Sequence, residues 1–191
     1  MKIVVTGANG FIGKNLCFKL YEMGHHDILE INRGTSKQNT LSYLSEADFI
    51  YHLAGVNRPK DPVEFERGNA DLTSFIVETL ENSGRSTPIV LSSSIQINLD
   101  NPYGRSKLAA ERALKSYAKK NGAPYYIFRF ANVFGKWCKP NYNSFVATFC
   151  SNIANGIEIS INDPDAKVRL VYIDDVCNSL IKLLDGEAIS G

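Results

Sequence analysis

Tyr103 and Lys107 stand four residues apart in Tyr103-Gly104-Arg105-Ser106-Lys107, shortly after the run Ser92-Ser93-Ser94. On a helix that spacing places both side chains on one face. An ammonium beside a phenol favours the phenolate, so the expectation is a Tyr103 pKa below the usual value of about 10. A phenol tuned in this way gives or takes a proton near neutral pH, which is equipment for carbonyl/alcohol redox chemistry. The same pair on an exposed helix is only a surface contact of roughly a few tenths of a kcal/mol. The chemistry therefore needs a second signal.

The amino terminus supplies it. Lys2-Ile3-Val4-Val5 reads as a short apolar strand, Thr6-Gly7-Ala8-Asn9-Gly10-Phe11-Ile12-Gly13 as a glycine-rich turn, and the stretch through Leu16, Phe18 and Leu20 as a helix. Strand, turn and helix in that order form a dinucleotide-binding unit. Gly7 suits the tight turn, Gly10 a close backbone approach to a pyrophosphate and Gly13 the packing of helix on sheet. The helix amino terminus then faces the phosphates. Gly7, Asn9, Gly10, Phe11, Ile12 and Gly13 are accordingly the first cofactor-binding candidates.

These residues need a scaffold. Strands are expected near Lys2–Val5, Asp27–Asn32, Phe49–His52, Ile89–Ser92 and Tyr125–Phe130, alternating with helices such as Ala70–Asn82 and Lys107–Asn121. That alternation implies a parallel sheet in an α/β fold. One nucleotide-binding domain accounts for residues 1–135, and 136–191 follow it. Between the second strand and Phe49 only one helical stretch, Thr35 to Ala47, fits, with no extra strand. Ile31-Asn32-Arg33-Gly34 lacks the carboxylate that holds the ribose hydroxyls in NAD enzymes, and Arg33 can meet a 2′-phosphate, so NADPH is expected over NADH. Lys37 is a weaker second candidate, and a solvated turn arginine is the plain alternative.

Composition excludes several classes. The chain has 191 residues, 44% hydrophobic and 21% charged, with a formal net charge of +1, which suits a globular enzyme and implies no polyanion partner. No apolar run approaches the roughly 20 residues of a membrane-spanning helix, and no basic leader precedes the first strand, so a cytoplasmic location is expected. Cys17, Cys138, Cys150 and Cys177 are widely spaced and read as reduced thiols. His25, His26 and His52 give no zinc-ligand spacing, and His52 reads as packing inside a strand. Asp174-Asp175 resembles a metal or acid/base pair but reads better as a helix amino-terminal cap.

Taken together, the sequence resembles the short-chain dehydrogenase/reductase superfamily, specifically the extended, nucleotide-sugar-modifying branch called the NAD-dependent epimerase/dehydratase family. The motifs run in that branch's order: Thr6 to Gly13, His52-Leu53-Ala54-Gly55, Asn69, Ser92 to Ser94, Tyr103 to Lys107, Asn132 and Arg169 to Asp175. More narrowly, Leu53 to Pro59, Asp100 to Gly104 and Gly135 to Ser144, with its Trp137-Cys138-Lys139-Pro140 core, look like the capsular polysaccharide synthesis enzymes of that branch. The glycines follow Gly-x-x-Gly-x-x-Gly, one residue longer in the first gap than in ordinary dehydrogenases.

The resemblance implies a Rossmann-type doubly wound parallel sheet with a small, incomplete C-terminal substrate-binding part, in which 136–191 supply substrate-binding elements partly interleaved with the first domain. It implies catalysis by Ser94, Tyr103 and Lys107, with Lys107 also bonding the nicotinamide ribose, while Ser92 and Ser93 end the strand. Leu53, Ala54 and Gly55 would pass beside the cofactor, and Asn69 would support the active-site helix or simply cap one. Asn132 and Arg169 match positions that hold the diphosphate of a nucleotide sugar, Lys136 and Lys139 add positive charge, and Trp137 and Tyr142 wall the sugar or pack the loop. The implied reaction is NADPH-dependent reduction of a 4-keto UDP-2-acetamido-2,6-dideoxy-hexose toward N-acetyl-L-fucosamine, in capsule or O-antigen synthesis. A full-length relative would continue into a cupin-like 3-epimerase domain, and the ending at Asp185 to Gly191 reads as a truncated or naturally short form. A homodimer through the helices near 70–82 and 107–121 is implied as well.

Three other readings stay open. A 4,6-dehydratase is disfavoured because Ile95-Gln96 follows Ser94 where dehydratases carry an Asp-Glu pair. A 4-epimerase uses the same Tyr and Lys with retained NAD⁺, against which the missing acid after the second strand argues. A non-catalytic nucleotide-sensing module would keep the glycine turn without needing Ser94, Tyr103 and Lys107.

Overall fold

The computed structural model describes residues 1–186. The chain divides between Arg129 and Phe130 into two compact units. The first is built on strands whose residues leave little choice. Ile3–Thr6 (β1), Phe49–His52 (β3) and the apolar half of Ile89–Ser94 (β4) are continuous β-branched, aliphatic and aromatic runs, and every residue of β1 and β3 is buried. Strands covered on both faces read this way. With Ile28–Ile31 (β2) and Tyr125–Phe130 (β5) they form a five-stranded parallel sheet in the order β2-β1-β3-β4-β5. Ile3 pairs with Ile28 on one side and Phe49 on the other. The chain thus reverses its direction of travel across the sheet at β1, and the crevice between the carboxyl ends of β1 and β3 is the topological switch point where α/β folds bind ligands.

The helices are set by caps and apolar faces. Phe11–Glu22 (α1) buries Leu16, Cys17 and Leu20. Lys37–Glu46 (α2) starts at Ser36, whose hydroxyl accepts from the Asn39 amide at 3.1 Å, and it is the single helix expected between the second and third strands. Pro102–Asn121 (α5) starts at Asn101, whose side chain accepts from the Gly104 amide at 2.7 Å, with Pro102 in the first turn. It therefore begins five residues before the expected Lys107 and contains Tyr103. The main core joins Val4, Ile50, Ile89 and Leu91 of the sheet to Leu44 of α2, to Ile76 and Leu80, and to Ala110, Leu114 and Tyr117 of α5.

The fourth helical region differs from expectation. Val63–Phe65 (α3) runs into a π-helical turn, Glu66–Asp71, before Leu72–Ser83 (α4) continues as ordinary α-helix. Such wide turns are rare and concentrate at functional sites. Local propensity carries no sign of one.

The second unit holds a parallel pair, Asn132–Phe134 (β6) with Leu170–Tyr172 (β7), that strand patterning did not reveal because each strand is three residues long. Phe145–Ala154 (α6) is capped by Ser144, and Ile173–Lys182 (α7) follows β7 directly. Asp174 and Asp175 lie inside the first turn of α7 after Tyr172, and neither side chain caps it. Their charge favours the positive end of the helix dipole, so the expected cap is corrected to a dipole contact. The last five residues of the expected 136–191 segment fall outside the described residues.

Candidate active site

The glycine turn is held by close backbone contact. Gly7 has φ of 70°, and a Cβ there would come within 2.8 Å of the Ala54 Cα. A Cβ on Gly13 would stand 2.2 Å from the Gly7 carbonyl oxygen. The turn, α1 and the segment after β3 therefore meet at spacings only glycine permits. Gly10 is the N-cap of α1 and supplies no side-chain cap, which leaves the helix end suited to an anion. Asn9 donates its amide to the Asn32 side-chain oxygen at 2.8 Å, so the residue standing where NAD enzymes place a carboxylate steadies the turn instead. Arg33 beside it is exposed. This cradle fits the pyrophosphate of a dinucleotide.

A buried chain of hydrogen bonds leads away from the turn. The Ala54 amide donates to Thr6 Oγ1 at 3.1 Å, Thr6 Oγ1 lies 2.8 Å from His52 Nδ1, and His52 Nε2 lies 2.9 Å from Thr73 Oγ1. Thr73 Oγ1 donates to the Asn69 carbonyl at 2.7 Å. That last bond spends the threonine's only proton, so His52 Nε2 must donate to it and His52 Nδ1 must accept from Thr6. His52 is thus a neutral, fully satisfied Nε2–H imidazole and more than strand packing. Burial, aided by the Lys107 charge, pushes its pKa down to about 3.

The unfolded chain protonates its histidine near pH 6.5 and the folded chain does not, so stability is present above pH 6.5 and drains as pH falls toward 3. Between pH 6 and 5 the expected slope from His52 is about one proton, or about 1.4 kcal/mol per pH unit. Urea titrations at those two pH values check it, and a flat profile would mean that His52 is charged in the fold.

Asn69 is the centre of the π turn. Its side-chain oxygen accepts from the Val56 amide at 3.0 Å, and its side-chain nitrogen donates to the Val56 carbonyl and to Ser106 Oγ, each at 3.0 Å. Ser106 in turn donates to the Tyr103 carbonyl at 2.8 Å. Asn69 therefore staples the segment after β3 to the start of α5 and caps no helix.

Ser94, Tyr103 and Lys107 come together at this point. Tyr103 packs its ring on Phe65, centroids 5.6 Å apart, and Ser94 lies close enough to its hydroxyl to act on its pKa. Lys107 is buried and donates to the Ser92 carbonyl at 2.9 Å, while a Cβ on Gly55 would stand 2.9 Å from its ammonium nitrogen. The ammonium thus faces the crevice beside β3. Burial pushes the Lys107 pKa down to about 8.

The expected effect on Tyr103 is reversed. Burial raises its pKa above the ordinary value, and the Ser94 bond offsets only part of that. Desolvation outweighs the charge effect that the four-residue spacing implied. The serine run is corrected too: β4 extends through Ser94, and Ser92 and Ser93 each bind a side chain of α5.

In the second unit, the Asn132 amide and side-chain nitrogen both donate to the Arg169 carbonyl at 3.3 Å. The two expected diphosphate residues therefore sit side by side. Lys136 lies 4.2 Å over the Trp137 ring, and Trp137 has φ of 66°. A bulky residue held in the left-handed region marks a loop fixed by its surroundings. Asn141, at φ of 54°, donates its amide to Thr148 Oγ1 at 2.8 Å. No disulfide joins the four cysteines. Among the described residues there is no metal-ligand cluster and no helix long and apolar enough to cross a membrane.

A switch-point crevice, a glycine turn and a Ser-Tyr-Lys set on β4 and α5 define a Rossmann-type protein of the short-chain dehydrogenase/reductase kind. The chain belongs to the NAD dependent epimerase/dehydratase family, whose pattern matches residues 3–189. It is 50% identical over 187 residues to the UDP-2-acetamido-2,6-beta-L-arabino-hexul-4-ose reductase of Pseudomonas aeruginosa, covering 98% of this chain and 50% of that protein. It superposes with a TM-score of 0.90 and 46% identity on the crystal structure of the capsular polysaccharide assembling protein CapF from Staphylococcus aureus, covering all of this chain and 52% of that one. A UDP-glucuronic acid 4-epimerase from Bacillus cereus, at 21% identity and a TM-score of 0.84, shares the fold. The chain spans about half the length of the first two relatives.

Proposed function

We propose that the chain is the reductase part of a nucleotide-sugar enzyme and reduces a 4-keto UDP-2-acetamido-2,6-dideoxy-hexose with NADPH. The observation that carries this reading is the meeting of Ser94, Tyr103 and Lys107 beside the Gly7–Ala54 contact, at the switch point of the sheet. A bound nicotinamide supplies the hydride. The protein's part is acid catalysis and orientation. Tyr103, kept protonated by its burial, gives its hydroxyl proton to the carbonyl oxygen as that oxygen becomes an alkoxide. Ser94 donates a hydrogen bond to the same oxygen and steadies the charge. Lys107, held by the Ser92 carbonyl, presents an ammonium to the ribose side of the crevice.

In this reading residues 1–135 bind the dinucleotide through Gly7, Asn9, Gly10, Phe11, Ile12, Gly13, Leu53, Ala54 and Gly55, with Arg33 on the 2′-phosphate. Residues 136–191, with Asn132, supply the substrate contacts, Arg169 and Lys136 among them, for the UDP diphosphate. The name of the Pseudomonas relative, a hexul-4-ose reductase at 50% identity, supports the sugar class. A cytoplasmic homodimer acting in capsule or O-antigen synthesis belongs to the same proposal.

Calorimetry of NADPH against NADH, followed by NADPH oxidation with a 4-keto UDP-sugar, tests it. NADPH preference with turnover is expected. NAD⁺ retained through purification, with no net NADPH oxidation, would favour a 4-epimerase instead.

A further inference from the structure

The roles proposed for Ser94, Tyr103 and Lys107 do not explain why three serines run together, but their partners do. Ser92 gives its carbonyl to Lys107, Ser94 lies beside the Tyr103 hydroxyl, and Ser93 gives its hydroxyl to Glu111 Oε1 at 2.6 Å. Tyr103, Lys107 and Glu111 lie at steps of four along α5, one face of the helix. That face therefore grips three consecutive residues of β4.

The Glu111 grip is built to be stiff. Its side chain is fully buried and holds a two-pronged bond from Arg129, Nε to Oε1 at 3.0 Å and Nη2 to Oε2 at 2.8 Å, with the Lys115 ammonium 3.7 Å away. Burial alone would raise the carboxyl pKa, but Arg129 and Ser93 hold it below the ordinary value. A buried carboxylate with fork-shaped bonding gives up its partners only at high cost, so its oxygen is a fixed point for Ser93.

We propose that Glu111 is a positioning residue: through Ser93 it fixes the end of β4 against α5 and so sets the distance between the Ser94 and Tyr103 hydroxyls. The proposal rests on the reading of Ser94 and Tyr103 as the proton-handling pair. Arg129, from β5, completes the clamp, which spans two strands and the helix.

The test is a pH titration of Tyr103 by NMR on the whole chain labelled with ¹³Cζ-tyrosine, with Tyr103→Phe to assign the signal. Ser93→Ala is expected to raise the Tyr103 pKa by about 0.5 unit, in the direction of Ser94→Ala, because a slack strand end weakens the Ser94 bond. Ser93→Thr, which keeps the hydroxyl, is expected to restore most of the shift. In the reductase assay Ser93→Ala should lower kcat about tenfold with dinucleotide Kd unchanged, as small misplacements do. A Tyr103 titration and kcat both unchanged in Ser93→Ala would overturn the proposal and leave the clamp a purely structural bond. A Tyr103 shift in Ser93→Ala, with no turnover even in the unmutated chain, would sustain the clamp while the reductase reading failed.

Discussion

Tyr103→Phe is expected to cut turnover of the keto sugar by about 10²–10⁴-fold, the usual worth of a positioned proton transfer. The substitution is clean. Phenylalanine keeps the ring packing on Phe65 at 5.6 Å and removes only the oxygen beside Ser94. Dinucleotide affinity and folding should therefore hardly change, because the cradle is made of backbone at Gly7, Gly13 and Ala54 and the staple to α5 runs through the Tyr103 carbonyl. The raised pKa of the phenol matters for direction. A phenol that stays protonated across the neutral range suits giving a proton to a carbonyl, whereas a phenolate would suit taking one from an alcohol. Reduction should accordingly be the better supported direction near pH 7. Calorimetry for the cofactor and single-turnover NADPH oxidation separate the two effects, and equal loss of binding and turnover would assign Tyr103 to the fold or the cofactor instead.

Much of this site was legible because its determinants are local. The turn from Gly7 to Gly13 is seven consecutive residues, and the glycine requirement follows from the path of one short segment. Tyr103 and Lys107 share a face because one helix imposes it, although that helix begins at Pro102, five residues before the expected start. The missing strand between β2 and β3 was legible for the same reason: ten residues of helix, Lys37–Glu46, leave no room for one. Asn132 and Arg169 lie 37 residues apart, and only the resemblance to a family placed them together, as the β6–β7 pairing does.

What the sequence hid is what depends on burial and on partners far along the chain. The Tyr103 pKa moves up and not down because the degree of desolvation is a property of packing, and spacing along a helix says nothing of it. Glu111 looks like one more helix carboxylate until Ser93, 18 residues earlier, and Arg129, 18 residues later, are seen to converge on it. His52 looks like a strand residue until Thr6 and Thr73 occupy its two nitrogens. Asn69 carries no signal that it sits in a wide turn, since nothing in Glu66–Asp71 forbids an ordinary α-helix. A search for polar residues expected in apolar strands or on buried helix faces would have flagged Ser93, His52 and Glu111, though not their partners.

Lys107→Met should make the protein more stable and less active at once. Burial lowers the Lys107 pKa from 10.5 to about 8, so the charged form opposes folding. Below pH 8 the lysine is protonated in both states and the cost is full. Between pH 8 and 10.5 the folded chain releases the proton first, the unfolded chain binds more protons, and stability rises with pH until the gain is complete above 10.5. A depression of this size corresponds to about 3 kcal/mol. Methionine fills much of the same volume without charge, and the bond to the Ser92 carbonyl, about 1–2 kcal/mol in net terms, is lost. The net expectation at pH 7 is a gain of about 1–2 kcal/mol, a Tm rise, and no stability increase between pH 8 and 10.5.

Activity should move the other way, because the ammonium lies beside Gly55 and is the group proposed to meet the nicotinamide ribose. Weaker dinucleotide binding together with lower kcat is expected. Parallel urea titrations of the parent and Lys107→Met from pH 5 to 10 read both stability effects. A variant that is less stable at pH 7, with the alkaline rise intact, would show that Lys107 is a net structural anchor and that its buried charge costs the fold nothing.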